Sequence, residues 1–375
     1  MRLVIGTRPE AIKLAPVAWA LAERGVLPAL ILTGQHPGLN PADYELADFP
    51  ATRLHCPGDE NPHAHVKSVT MAVCALLSCR PDLIVVQGDT SSALGGALAG
   101  FATGVPVAHV EAGLRSHDAS MPWPEEEYRT AIDASADLLF APTPLAAENL
   151  GREGVAGAVF VTGNTGIDAL LTTRAELPPP SLRDRGVPRL LVTCHRRENW
   201  GEGLSAIAAA LRRLANEGTA AIDVVLHPNR HVSRRIGRLL GGCPGITLVP
   251  PCSHRELAER MRDCDLMLSD SGGVQEEAPA LGVPLLVLRA KTERPEALWT
   301  GNMRLVGTDS LQILATVREL LGDPVALAAM ATPCLPYGDG RAGPRIAALI
   351  EQWLADRAAE LAPARRSSAG SPPSG

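Results

Sequence analysis

Short apolar runs alternate with longer amphipathic segments along most of this chain. Repeated strand–helix alternation of this kind predicts parallel sheets that are covered by helices on both faces. The strands that the pattern predicts are Leu3–Ile5, Ala29–Leu32, Leu83–Val86, Val107–Val110, Leu138–Phe140 and Ala158–Val161 in the first half, and Arg189–Thr193, Asp223–Leu226, Ile246–Val249, Leu266–Leu268 and Pro284–Leu288 in the second.

The alternation stops at Leu177-Pro178-Pro179-Pro180 and then restarts. A proline run ends a helix and stiffens a linker, so the break predicts two domains. The predicted fold class is α/β, with two doubly wound Rossmann-like domains that face each other across a cleft. The predicted segments are a first domain over 1–170, a linker over 171–187, a second domain over 188–340, a terminal helix over 341–362 that packs back on the first domain, and a disordered tail over 363–375.

The composition excludes several classes of partner. A net charge of -6 and only 3% aromatic residues disfavour nucleic-acid binding, which needs a basic face and stacking platforms. The apolar runs are too short to span a bilayer, and the first of them reads as a core strand, so we expect a cytoplasmic protein without a membrane segment. The eight cysteines are scattered without a CxxC pair, which predicts free thiols and no structural metal.

Polar motifs follow the predicted strands, where ligands bind in doubly wound sheets. They are Gly6-Thr7-Arg8, Gly88-Asp89-Thr90 and Glu111-Ala112-Gly113 in the first domain, and Cys194-His195-Arg196 and Asp270-Ser271-Gly272-Gly273 in the second. The small residues of the last motif, placed before a helix, are suited to bring backbone N–H groups to a phosphate, although a simple capped turn has the same appearance.

Several motifs, in their order and spacing, resemble the non-hydrolysing UDP-N-acetylglucosamine 2-epimerase family. The resemblance extends from Met1 to the predicted terminal helix and implies the two-domain GT-B fold, an active site between the domains and a homodimer. The motifs are Gly6–Lys13, Gly88-Asp89-Thr90, His109–Arg115, Pro122–Glu126, His195–Glu198, Asp270–Pro279 and Thr292–Glu296.

The chemistry of such a substrate restricts the mechanism. The C2 hydrogen of an N-acetylhexosamine is not acidic, so inversion requires either transient oxidation of a neighbouring carbon or expulsion of the nucleotide diphosphate from C1. No GxGxxG follows the first strand, which disfavours the nicotinamide route. We therefore expect an enzyme without a cofactor that eliminates UDP and adds it back.

The resemblance also implies site residues, each at a matching motif position. Three carboxylates and a histidine are implied to be catalytic, and a set of cations, small residues and one carboxylate to bind the UDP-sugar. The implied catalytic residues are Asp89, Glu111, Glu125 and His195, and the implied binding residues are Arg8, Lys13, Arg129, Ser271, Gly272, Gly273, Glu277 and Arg294.

Other interpretations of these residues stay open at this point. Asp89 is also placed to cap a helix, Glu125 belongs to a charge run, and His195 stands beside two arginines. A GT-B glycosyltransferase that uses a UDP-sugar donor is the main alternative function, followed by a hydrolysing epimerase and a non-catalytic binding module.

One segment departs from the family pattern. Bacterial members typically continue Gly34-Gln35-His36 with Arg-Glu-Met and bind an activating UDP-N-acetylglucosamine there, whereas Pro37-Gly38-Leu39-Asn40 follows in this chain. We therefore expect substrate activation to be weak or absent.

Overall fold

The computed structural model of the chain describes residues 1–178, 186–194, 196 and 199–367. These residues form two compact units. The first unit comprises Met1–Gly113, Glu127–Asp168 and the terminal segment that starts at Gly340, and the second comprises Leu114–Glu126 and Ala169–Asp339.

The first unit is built on a parallel sheet that has seven strands within the described ranges. The strand order is β3-β2-β1-β4-β5-β6-β7, so the chain winds in both directions from the centre. The elements are β1 (Arg2–Ile5), α1 (Arg8–Glu23), β2 (Ala29–Leu32), β3 (Ala51–Arg53), α2 (Pro62–Leu76), β4 (Ile84–Gln87), α3 (Ser91–Thr103), β5 (Val107–Val110), α4 (Glu125–Ser135), β6 (Leu138–Ala141), α5 (Pro144–Glu153), β7 (Ala158–Val161) and α6 (Thr165–Glu176). The first two residues of α4, and α6 from Ala169 on, belong to the second unit.

The second unit repeats this plan with a parallel sheet of six strands in the part that the structure describes. Its order is β10-β9-β8-β11-β12-β13. The elements are β8 (Arg189–Thr193), α7 (Glu202–Asn216), β9 (Ala221–Val225), α8 (Arg230–Leu240), β10 (Ile246–Val249), α9 (His254–Arg262), β11 (Leu266–Ser269), α10 (Gly272–Leu281), β12 (Leu285–Val287), α11 (Glu296–Trp299), β13 (Met303–Leu305), α12 (Ser310–Gly322) and α13 (Pro324–Met330).

The central strands carry apolar side chains on both faces because helices cover both sides of each sheet. All residues of β4 and β11 are buried, and so are all residues of β5. The direction of winding reverses between β1 and β4 in the first unit and between β8 and β11 in the second. Ligands of doubly wound proteins bind at such switch points, which directs attention to the turns after these four strands.

The terminal helix α14 (Ala342–Ser367) packs on α1, and its Ile346, Ala347 and Ile350 enter the first unit's core. It continues past residue 362, where we predicted its end, because this stretch is rich in the strong helix formers Ala, Leu and Arg. Residues 368–375 of the predicted tail, and 179–185 of the predicted linker, lie outside the described residues.

Two strands, β3 and β13, were not predicted. Each has only three residues, and every residue of β3 is exposed at the edge of its sheet, so neither carries a recognisable apolar run. Of the described helices, none combines the length and the apolar character that crossing a bilayer requires.

Candidate functional site

The turn between β1 and α1 is organised by Glu10. Its Oε2 accepts hydrogen bonds from the backbone N–H of Gly6 at 2.8 Å and of Thr7 at 2.6 Å, and its Oε1 accepts one from the Thr90 hydroxyl at 2.6 Å. Glu10 is fully buried, and this burial raises the pKa of its carboxyl although the hydrogen bonds oppose the shift. Glu10 thereby joins the turns after β1 and β4 at the switch point of the first sheet.

Glu111 occupies the first position after β5 and has a positive φ of 72°. That backbone conformation is unfavourable for a residue with a side chain and is typical of functional sites. The carboxylate Oε2 accepts a hydrogen bond from Lys13 Nζ at 2.8 Å and another from Gln87 Nε2. Lys13 comes from α1 and Gln87 from β4, so three neighbouring elements hold this carboxylate in one place.

Asp89 lies two residues after the end of β4, next to Glu111 along the same edge of the sheet. Its carboxylate forms an ion pair with Arg129 of α4, whose side chain is buried. Asp89 does not cap α3: the cap is Thr90, whose hydroxyl accepts from the backbone N–H of Ala93 at 3.0 Å. Two carboxylates, each held by a buried cation, therefore stand at adjacent strand ends.

The two cations of the first predicted anion motif have different environments. Lys13 is buried against Glu111, whereas Arg8 is exposed at the start of α1. Burial lowers the pKa of His36, in the segment after β2, and the charge of Arg8 lowers it further.

In the second unit, Ser271, Gly272 and Gly273 form the start of α10 directly after β11. The first N–H groups of a helix have no partner within the helix and favour an anion. A Cβ atom on Gly273 would meet nothing within 4 Å, so this turn is open, while a Cβ on Gly272 would come within 2.9 Å of the guanidinium of Arg294. An open helix start with an arginine beside it therefore follows β11, a geometry that suits an anion.

Arg294 is held by buried carboxylates. Its Nε donates to Glu276 Oε1 at 2.5 Å, and its Nη1 donates to Glu293 Oε1. The backbone oxygen of Arg294 also accepts a hydrogen bond from the Tyr337 hydroxyl at 2.8 Å. This arrangement fixes the guanidinium next to the first turn of α10.

Glu277, the predicted ribose ligand, lies on α10 and contacts His254 Nε2 through Oε1 at 2.9 Å. Burial alone would lower the pKa of His254, but the charge of Glu277 and this hydrogen bond outweigh it and raise the pKa above its ordinary value.

Glu125 lies with the second unit. Its Oε1 is 3.3 Å from Arg196 Nη1, and Arg196 Nη2 is 3.4 Å from Glu293 Oε1. The loop before Glu125 is tied to the same unit by Lys291 and Asp118 at 2.6 Å, a contact that lowers the pKa of Asp118 to about 2. These two ion pairs explain why Leu114–Glu126 groups with the second unit although it precedes residue 170.

His195 lies outside the described residues. Its neighbour Cys194 is buried, and burial together with the charge of Asp270 raises the pKa of its thiol. Asp270 is also buried and accepts hydrogen bonds from the Arg196 N–H at 3.1 Å and from Asn199 Nδ2 at 2.8 Å, so it joins the turns after β8 and β11.

Sequence reasoning assigned no role to several residues that the structure brings into these clusters. Glu10 had a readable signal, because Thr7 and Glu10 have the spacing of a capping box. Glu293 pairs with its sequence neighbour Arg294, but a charged dipeptide is no specific signal. The others have partners that are distant in the sequence, so no local pattern points to them; they are Gln87, His109, Asp133, Arg196, His254 and Glu276.

Comparisons with known proteins identify the family of this chain. The family model described as UDP-N-acetylglucosamine 2-epimerase matches residues 20–351. A probable UDP-N-acetylglucosamine 2-epimerase of Ralstonia nicotianae is 41% identical over 94% of this chain and 99% of its own length. The UDP-N-acetylglucosamine 2-epimerase of Escherichia coli K12 is 40% identical over 92% of this chain and 96% of its own.

Among solved structures, the UDP-GlcNAc 2-epimerase of Neisseria meningitidis bound to UDP-GlcNAc superimposes with a TM-score of 0.88. It is 33% identical, over 94% of this chain and all of that one. The predicted class of two doubly wound, Rossmann-like α/β domains of GT-B type is confirmed. The chain belongs to the UDP-N-acetylglucosamine 2-epimerase family.

Proposed function

We propose that this protein reversibly converts UDP-N-acetylglucosamine to UDP-N-acetylmannosamine, or epimerises a close UDP-N-acetylhexosamine analogue, as a non-hydrolysing isomerase. Family membership gives the class of reaction. The observation that carries the proposal is the placement of Asp89 and Glu111 at the adjacent ends of β4 and β5, each beside a buried cation. Two fixed carboxylates are what proton transfer at a sugar carbon requires.

The proposed reaction proceeds through elimination. A base removes the C2 proton while the bond between C1 and the UDP oxygen breaks, which leaves a glycal and free UDP in the site. UDP then adds back to C1, and C2 receives a proton on the opposite face. Atoms and charges balance without an oxidant, so the reaction as proposed uses no cofactor.

The carboxylates Asp89, Glu111 and Glu125 are assigned to the sugar in this proposal. They supply the acid and base and stabilise positive charge that develops at C1 as UDP leaves. His195, together with Arg8 and Lys13, is assigned to the diphosphate, and Arg129 orients Asp89.

The remaining binding residues are assigned to UDP. The N–H groups of Gly272 and Gly273 and the hydroxyl of Ser271 donate hydrogen bonds to a phosphate, and Arg294 supplies positive charge beside it. Glu277 accepts hydrogen bonds from the ribose hydroxyls. The proposal requires that one sugar nucleotide contacts both clusters.

Proton NMR in heavy water tests the reaction directly. Incubation of the protein with UDP-N-acetylglucosamine and no acceptor should produce a second anomeric signal and deuterium at C2 of both UDP-sugars. Asp89→Asn and Glu111→Gln should abolish both changes and still bind UDP. Free N-acetylmannosamine would indicate a hydrolysing enzyme instead. An unchanged substrate that reacts only with an added acceptor would indicate a glycosyltransferase.

A cytoplasmic location and a homodimer also remain proposals. The UDP-sugar substrate and the family are the support for both. Analytical ultracentrifugation should give a single species of twice the 39.4 kDa chain mass, and a species of the chain mass would contradict the dimer.

A further inference from the structure

A buried histidine–aspartate pair lies beneath the two strand ends that carry Asp89 and Glu111. His109 of β5 and Asp133 of α4 are both fully buried, and His109 Nδ1 is 2.6 Å from Asp133 Oδ1. Neither residue is exposed to a ligand, and the proposed reaction has given neither a role.

The pair has a hydrogen bond at each end. His109 Nε2 donates to the carbonyl oxygen of Gly88 at 2.8 Å, and Asp133 Oδ2 accepts from the backbone N–H of Gly113 at 3.1 Å. Gly88 directly precedes Asp89, and Gly113 closes the turn that begins with Glu111. The chain of contacts therefore joins the two carboxylate-bearing turns through the interior of the first unit.

Both turns have backbone conformations that need such support. Gly88, Glu111 and Gly113 all have positive φ angles, of 68°, 72° and 84°. A Cβ on Gly113 would come within 2.2 Å of the carbonyl oxygen of Ala146, so this position has no room for a side chain. An unfavourable conformation at Glu111 persists only when its surroundings determine it.

Two residues of helix α4 hold Asp89, one directly and one through His109. Arg129 and Asp133 are four residues apart on this helix, so they lie on the same face. Arg129 pairs with the carboxylate of Asp89, and Asp133, through His109, holds the carbonyl immediately before it. One helix thus fixes both the side chain and the backbone of the same residue.

The positions of the protons follow from the partners. The Gly88 carbonyl only accepts, so Nε2 of His109 carries a proton. Asp133 accepts an N–H on Oδ2, and its Oδ1 shares a proton with His109 Nδ1. A buried histidine–aspartate pair with these hydrogen bonds made is rigid, and removing one of its hydrogen bonds leaves a buried polar atom unsatisfied.

We propose that His109 and Asp133 are a positioning pair for the epimerisation, which sets the separation and direction of Asp89 and Glu111. This inference rests on the proposed function. It predicts that weakening the pair lowers the rate of the chemical step, because a small displacement of a catalytic group is enough to slow a reaction by orders of magnitude.

Three variants test the pair. In His109→Gln the amide N–H can replace Nε2 and keep the bond to Gly88, but the bond to Asp133 is lost. His109→Ala loses both, and Asp133→Asn keeps the shape and removes the charge. Asp168→Asn is the matched control, because Asp168 is also a buried carboxylate of the first unit and accepts from the N–H groups of Ala342 at 3.1 Å and Gly343 at 2.8 Å.

The expected result is a graded loss of kcat without a comparable change in UDP binding. We expect kcat to fall about 10-fold in His109→Gln and about 100-fold in His109→Ala and Asp133→Asn. KM and the UDP dissociation constant should stay within about 3-fold, because no UDP contact is altered. Asp168→Asn should lower thermal stability and leave kcat of the folded protein unchanged.

Each other outcome has a definite meaning. Folded variants with the kcat of the unaltered protein would overturn the positioning role alone. A control that loses as much kcat as the pair variants, or a His109→Gln chain that does not fold, would make the pair a structural element and also overturn it. An unaltered protein that leaves C2 unlabelled in heavy water would overturn the proposed function itself.

Discussion

Lys13 Nζ donates to Glu111 Oε2 across 2.8 Å, in an ion pair whose side chains are 10% and 6% exposed. The pair joins the first helix of the chain to the end of β5, and it holds Glu111 in a conformation that a free loop would avoid. Since little water reaches this pair, removing Lys13 takes away the positive charge that stabilises the buried Glu111 carboxylate, while the hydrogen bond from Gln87 Nε2 remains.

We therefore expect Lys13→Met to lower the free energy of unfolding by about 3 kcal/mol and to abolish turnover. Urea unfolding followed by circular dichroism measures the first effect, and the NMR assay measures the second. The double variant Lys13→Met/Glu111→Gln should recover most of the stability, because neither side chain then carries a buried charge, yet stay inactive. A single variant as stable as the unaltered protein would show that the ion pair has no role in folding.

The substitution Gly273→Ala should leave the stability of the free protein nearly unchanged but weaken UDP binding. A Cβ there meets nothing within 4 Å, so Gly273→Ala should change the free energy of unfolding by less than about 1 kcal/mol. The same methyl group would stand between the backbone N–H groups and a phosphate, and we expect UDP binding to weaken at least about 10-fold.

Isothermal titration calorimetry with UDP measures this effect. Gly237→Ala on α8 is the matched control, because its Cβ would also meet nothing within 4 Å and the residue lies outside the proposed site. Equal UDP affinity in both variants would show that the turn at Ser271–Gly273 does not bind UDP.

The contact between His254 and Glu277 predicts a pH dependence of stability. Although burial opposes it, the charge of Glu277 raises the pKa of His254 above its ordinary value, so the protonated ring is stabilised in the folded state. This stabilisation of the folded state is fully present at pH values below the pKa that His254 has in the unfolded chain. It is lost as the pH rises through the pKa of His254 in the folded protein.

The stability difference between the unaltered protein and His254→Gln should therefore be larger at about pH 6 than at about pH 9. Urea titrations at both pH values measure it. A difference that is equal at both values, or larger at the higher one, would contradict a protonated His254 in the folded protein.

The sequence of the segment after β2 predicts that the reverse reaction needs no activating UDP-N-acetylglucosamine. It contains Pro37-Gly38-Leu39-Asn40 and continues into a short 3-10 helix, Pro41–Tyr44, that Asn40 caps at 3.4 Å. We expect hyperbolic rates in the reverse direction with UDP-N-acetylmannosamine alone. A coupled UDP release or NMR assay measures them, and a strict requirement for added UDP-N-acetylglucosamine would show that an activating site is present.

The sequence by itself determined the class of fold and the family. The apolar runs Ala29–Leu32 and Val107–Val110 are strands with the predicted limits, because a strand buried on both faces needs a continuous apolar stretch that is readable locally. The same local pattern placed Asp89, Glu111 and the turn at Ser271–Gly273 at strand ends, and the resemblance to the family implied their roles.

Tertiary structure decided which residues act together. Lys13 and Glu111 are 98 positions apart and Gln87 and Glu111 are 24 apart, yet they meet because β1, β4 and β5 are neighbours in the sheet. No local pattern encodes that strand order, since it results from the packing of the whole unit. For the same reason His109 and Asp133 read in the sequence as an ordinary strand residue and an ordinary helix residue, and only folding makes them a pair.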